Sequence, residues 1–270
     1  MRLFGAMLRI IVVLSLLSLT ACGHRAARSE NHARDLAVAT VSAPHFSDAD
    51  PHPWDRHAPH NLPVHGVDLS KFQPAVDWST ARASGVNFAF IKATEGGDQV
   101  DPMFADHWAA AGRAGVRRGA YHFFYHCRPA IEQAHWFINH VPRASGALPP
   151  VLDLEWTPTS PTCTIRRDGA TIREEARVFL DALQAHYGQR PIVYTSVDFY
   201  HDNDLGKLRG TEFWLRSVAA HPGEIYTGQP WIFWQYSSTG IVPGVAGRAD
   251  INAFAGSEAA WQDWLSRRVQ

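Results

Sequence analysis

Cysteine is scarce, with 3 in 270 residues, so a disulfide-dense fold is excluded and a hydrophobic core must carry the stability. Charge of one sign is also missing. The 25 Lys and Arg stand against 26 Asp and Glu, a formal net charge of −1, which excludes a polybasic surface for nucleic acid or anionic lipid. No apolar run reaches the ~20 residues that a bilayer-spanning helix needs. Several reactive signatures are absent as well: a G-x-S-x-G elbow, an H-E-x-x-H or Cys–His zinc spacing, a P-loop and a Rossmann glycine fingerprint. Glu95-Gly96-Gly97 is only a turn. Neither a cofactor nor a metal is expected, and carboxylate chemistry is left. What the chain has in plenty is aromatic surface, 10 Trp and 7 Tyr, most of it for a core and the remainder for a groove.

The most informative stretch is Val151–Trp156, VLDLEW, an apolar run with acids at Asp153 and Glu155. Side chains at i and i+2 of a strand leave the same face. Two acids side by side on a buried strand repel each other and lose hydration, so their tolerated presence points to chemistry. The pattern is that of a glycosidase acid pair.

At the N-terminus, Arg2 and Arg9 flank a short basic region and Ile10–Leu19 is apolar over a signal-peptide length. Leu19-Thr20-Ala21-Cys22 resembles a bacterial lipoprotein signal box, which implies a leader over 1–21 and lipidation of Cys22. Gly23 after that Cys suits the periplasmic face of the outer membrane. Residues 22–62 read as a flexible tether, polar, lacking periodicity and punctuated by Pro44, Pro51, Pro53 and Pro59, with Pro63 just beyond. Its histidines (His24, His32, His45, His52, His57 and His60) match no closed metal site. Cys127 and Cys163 remain, an even number in an oxidising compartment. A disulfide is expected, two separate buried thiols being the alternative.

From residue 63 to 270, short apolar strands alternate with helical stretches that stop at Gly85, Gly115, Pro142 and Gly188. After Thr195 the strands crowd together, separated by turns. An α/β fold is expected: a barrel that begins as repeated β/α units and finishes mostly with strands and few helices. Asp68, Glu95, Asp153, Glu155 and Asp250 fall on or just after these strands. Closure of the barrel makes the first and last strands neighbours and brings Asp68 to Asp250. Tyr121, Tyr194, Trp214 and Gln235, near strand ends, are candidate sugar contacts together with Glu95.

The blocks HGVDLSKFQP, FAFIKATEGGDQVDPMF, GAYHFF, PVLDLEW, PIVYTS, FWLRS, WIFWQYS and RADINAF, in that order, resemble the glycoside hydrolase family 25 lysozymes, the Chalaropsis-type muramidases. The resemblance spans about His65 to Phe254 and departs at Gln99, just before Val100. It implies a modified TIM-like barrel of about five β/α units followed by strands with few helices, and cleavage of the β-1,4 bond between N-acetylmuramic acid and N-acetylglucosamine in peptidoglycan. It also implies that Glu155 is the catalytic acid and that Asp68, Asp153 and Asp250 complete the acidic centre. Asp153 is read as assisting the substrate's 2-acetamido group, with direct attack by an Asp as the alternative. The competing readings are a non-catalytic peptidoglycan-binding lipoprotein and a chitinase-like glycosidase. A monomer is expected, with glycan strands and a membrane as partners and no nucleic acid.

Overall fold

The computed structural model describes residues 40–268. The leader, Cys22 and the first part of the tether lie outside the described residues.

Eight strands close into a barrel: β2 (His65–Leu69), β3 (Phe88–Glu95), β5 (Arg117–Phe123), β6 (Val151–Leu154), β7 (Ile192–Thr195), β8 (Glu212–Arg216), β9 (Phe233–Ile241) and β10 (Ala249–Phe254). Neighbours run parallel from β2 round to β9, whereas β10 is antiparallel to both β9 and β2. The short β1 (Ser47–Asp48) extends the edge of β9, and β4 (Gln99–Val100) pairs with β3. The early crossovers are helical: α1 (Trp78–Ala83), α2 (Phe104–Arg113), α3 (Ala130–His140) and α4 (Gly169–Tyr187). Asp77 and Asp168 cap α1 and α4 by accepting from the free N–H groups of the first turn, and Gly188 ends α4 in the left-handed region at φ 72°. The later connections shrink to α5 (Val197–Asp202), α6 (Pro222–Ile225) and a hairpin between β9 and β10; α7 (Glu258–Arg268) follows.

Two cores result. One lies between the barrel wall and the helices, where Leu152 and Leu154 meet Phe179 and Leu180. The other fills the barrel from the N-terminal ends of its parallel strands: Phe88, Phe233 and Phe254 pack against Trp261, Trp264 and Leu265 of α7, which closes that end. Phe90 and Trp214 stack in the next layer up, ring centroids 4.6 Å apart. Gly66 faces Phe88 so closely that a Cβ there would strike its ring. The opposite end stays open.

One expectation is corrected here. Residues 40–62, read from composition as flexible tether, lie along the barrel: β1 pairs with β9, Ala58 and Pro59 are buried, and Trp54 packs edge-on to Trp234 at 5.1 Å. The physical reason is the hairpin between β9 and β10. Without a crossover helix, the outward faces of Trp234, Tyr236 and His65 need another cover, and the proline-rich strap supplies it.

Candidate active site

At the open end a cavity of about 550 Å³ is lined by Asp68, Asp153, Glu155, Asp250, Tyr121, Tyr194, Gln235 and Glu95, among others. All of the acids expected from the sequence therefore meet at one mouth. Asp153 lies on β6 and Glu155 just beyond it, so strand alternation aims both inward. Asp68 sits near the end of β2, while Asp250 sits near the start of β10. Because β10 runs against β2, its beginning lies at the same rim, and the two aspartates are register partners.

The carboxylates differ in what supports them. Asp68 Oδ2 accepts from Gln235 Nε2 and Asn252 Nδ2, both at 2.8 Å. Burial pushes the Asp68 carboxyl well up, and the charge of Asp250 pushes the same way. Asp250 itself is pushed up by burial to about 6, with Arg216 and Asp68 opposing. Asp153 is 6% exposed, and its Oδ1 is buried without a hydrogen-bond partner among the described residues. Burial and then the charge of Glu155 hold its carboxyl well above the ordinary range, against Lys92. Burial raises Glu155 too, while the Tyr194 hydroxyl and Arg216 pull down. The Asp153–Glu155 pair thus keeps a proton where isolated carboxyls have lost theirs.

Glu95 behaves differently. Burial raises it, but hydrogen bonds from Lys92 Nζ (2.5 Å) and the Tyr125 hydroxyl, with the charge of Lys92, outweigh burial and hold it below the usual range. It is the site's fixed anion. Tyr121 and Tyr194 are driven well up by burial and the surrounding acids, so both keep their hydroxyl protons.

The aromatic candidates Tyr121, Tyr194 and Trp214 all line the cavity but differ in how they are held. Trp214 is 2% exposed, its ring is stacked on Phe90 and its indole N–H is given to Asn252 Oδ1 at 2.8 Å. It is the floor of the cavity rather than a free sugar platform, because barrel closure turns the middle of β8 inward beneath the acids. Gln235 and Tyr194 are likewise bonded to each other at 2.9 Å and buried. Phe72, 76% exposed, is the open aromatic at the cavity mouth, whereas Tyr121, Phe123 and Trp156 there are half-buried. The sequence reading also missed Asn252. The signal was present, since it stands two residues after Asp250 on the same strand face.

One wall is formed by Thr157, Thr159, Ser160 and Pro161. Cys127 and Cys163 are joined in a disulfide, Cα atoms 5.8 Å apart, which ties this wall to the segment after β5. Thr157 Oγ1 donates to Cys163 O at 2.5 Å. Among the described residues no group of His, Cys, Asp and Glu has the arrangement of a metal site.

A sequence profile for glycosyl hydrolases family 25 matches residues 67–245. The chain belongs to glycosyl hydrolases family 25. Within the family, it is 33% identical over 211 residues to Lysozyme M1 of Streptomyces globisporus, covering 73% of this chain and 69% of that one. The N,O-diacetylmuramidase of Chalaropsis sp is 32% identical over 186 residues, 64% of this chain and 88% of its own. Among solved structures, a family 25 glycosyl hydrolase from Bacillus anthracis superimposes with a TM-score of 0.71 at 31% identity, covering 80% of this chain and 98% of that one. The chain is accordingly a glycoside hydrolase of the lysozyme type on a modified TIM-like barrel.

Proposed function

We propose that this hydrolase cleaves the β-1,4 bond between N-acetylmuramic acid and N-acetylglucosamine in peptidoglycan, with Glu155 as general acid and Asp153 assisting the substrate's own 2-acetamido group. The observation that carries the assignment of roles is the Oδ1 of Asp153, buried beside Glu155 and without a hydrogen-bond partner among the described residues. An acetamide N–H is the donor that this oxygen lacks. Such a hydrogen bond stabilises the ionised form of Asp153 and drives the pair's proton to Glu155, which faces the cavity. Glu155 then donates that proton to the leaving glycosidic oxygen as the acetamide oxygen attacks the anomeric carbon. Asp153 balances the positive charge of the resulting oxazolinium. Water opens the ring with Glu155 taking its proton back, and the anomeric configuration is retained. Two acids on one strand face suit this better than the arrangement across the ring that an inverting water requires. Asp68 and Asp250 complete the centre.

The test is mass analysis of muropeptides released from purified peptidoglycan, with chitin as a control, and the anomeric form of the product. N-acetylmuramic acid at the new reducing end and retention are expected. Inversion, or a trapped glycosyl–aspartate adduct, would overturn the role given to Asp153, and release from chitin alone would overturn the substrate.

The Leu19–Cys22 box supports a chain anchored through lipid at Cys22, with the hydrolase held in the cell envelope at the periplasmic face of the outer membrane.

A further inference from the structure

Beneath the acids, the orientation of one buried side-chain amide decides what Asp68 experiences. Asn252 is fully buried; its Nδ2 donates to Asp68 Oδ2 at 2.8 Å and, at a marginal 3.5 Å, to the Asp250 backbone O, and its Oδ1 accepts from Trp214 Nε1 at 2.8 Å. An amide's two ends are nearly the same size, so packing alone does not choose between them. The partners choose. The hydroxyl that faces the other amide, Tyr194 on Gln235 Oε1, can donate or accept and dictates nothing. An indole N–H can only donate.

We propose, building on the hydrolase reading above, that Trp214 is a positioning residue whose N–H locks the Asn252 amide with its N–H toward Asp68, and that the charge arrangement of the Asp68–Asp250 pair depends on this lock. The lock is rigid. Trp214 is held between Phe90 at 4.6 Å and Tyr194 at 4.5 Å between ring centroids, so the indole has no freedom to follow a turned amide. With the amide as found, Asp68 Oδ2 accepts two N–H donors, from Asn252 and Gln235, and remains an acceptor. A proton shared between Asp68 and Asp250 is then confined to the other oxygen, Oδ1. Turned round, the amide would set its carbonyl against Asp68 Oδ2, a contact tolerated only if that oxygen carries a proton. The other charged or titratable groups around the pair are Lys71 just after β2, Lys92 and Glu95 of β3, Tyr121 of β5, Asp153 and Glu155 at β6, Tyr194 of β7, Arg216 of β8 and Asp101 beyond β4. None of them is altered by a change confined to the indole nitrogen.

Two variants separate the lock from packing. Trp214→Phe removes the donor and some volume; replacing Trp214 with its benzothiophene isostere, sulfur in place of N–H, removes the donor alone. Two readouts are taken from pH 4 to 9: the carbon-13 titration of the Asp68 and Asp250 carboxyls, and kcat/KM on peptidoglycan. In both variants the carboxyl titration and the acid limb of kcat/KM are expected to move to higher pH by about one unit, roughly a tenfold loss of kcat/KM on that limb. An isostere with the wild-type carboxyl titration would overturn the proposal, whatever the Phe variant does. Because that titration is read without turnover, failure of the lock is distinguishable from failure of the hydrolase assignment, which would appear as inactive wild-type protein.

Discussion

Each acid at the mouth has its own support, and that support predicts how its replacement will behave. Glu155→Gln keeps the shape and removes the proton donor, so turnover should fall by about 10²–10⁴ while the melting temperature holds or rises. Hydrolysis assays beside thermal melts check this, and undiminished activity would refute the role of Glu155. Asp250 predicts a pH effect with a definite sign. Its folded-state value of about 6 lies above the ordinary value of 3.8, so the native state holds a proton that the unfolded chain has released between those limits. Stability from this group is therefore full at low pH and is lost as pH rises through about 6. Asp250→Asn should melt several degrees higher than wild type at pH 7.5, with the difference vanishing near pH 4. His65 and His122 work in the opposite direction. Burial lowers both to about 4, so below about pH 6.5 the unfolded chain gains protons that the native state refuses. The comparison with Asp250→Asn cancels that contribution. At this scale much of the site was legible in the sequence: acids on apolar strands stand out because burial penalises them. The amide partner of Trp214 was not readable, because an indole at a strand end reads the same whether it faces a sugar or an amide.

Among the elements, the strap over 40–62 and the disulfide-tied wall make separate predictions. The strap covers the outer face of β9, with Trp54 against Trp234 and the hydrogen bond of Tyr236 to His65 (2.8 Å) lying beneath it. Trp54→Ala should lower stability by about 1–2 kcal/mol, a few degrees of melting temperature, and deletion of 40–62 should cost more. An unchanged melt after deletion would show the strap to be dispensable. Reduction of Cys127–Cys163 should raise KM more than it lowers kcat, because the bond holds the 157–161 wall and carries no acid. Kinetics with and without a reductant decide it. The helices over 78–83, 104–113, 130–140 and 169–187 were readable from their caps and Gly or Pro stops. The C-terminal helix was overlooked, although Trp261, Trp264 and Leu265 stand at helical spacing. The strap was misread because prolines and histidines resemble a solvated tether until a bare sheet face lies opposite them.

For the whole molecule, the Cys22 box predicts that the full-length protein made in a bacterial host partitions into detergent and that Cys22→Ser does not, with hydrolytic activity unchanged. Equal partitioning of both forms would remove the anchor from the account. The order of its motifs and the strand–helix rhythm determined the barrel class, the family resemblance and the identity of the acids, because periodicity and burial penalties are written locally. Tertiary structure alone decided how those acids differ. Closure of the sheet, with β10 running backwards, laid Asp250 beside Asp68, left Asp153 Oδ1 without a partner among the described residues, gave Glu95 a lysine and set Trp214 beneath Asn252. Proton affinity depends on the distance and desolvation of groups far apart in the chain, and only the folded barrel specifies those.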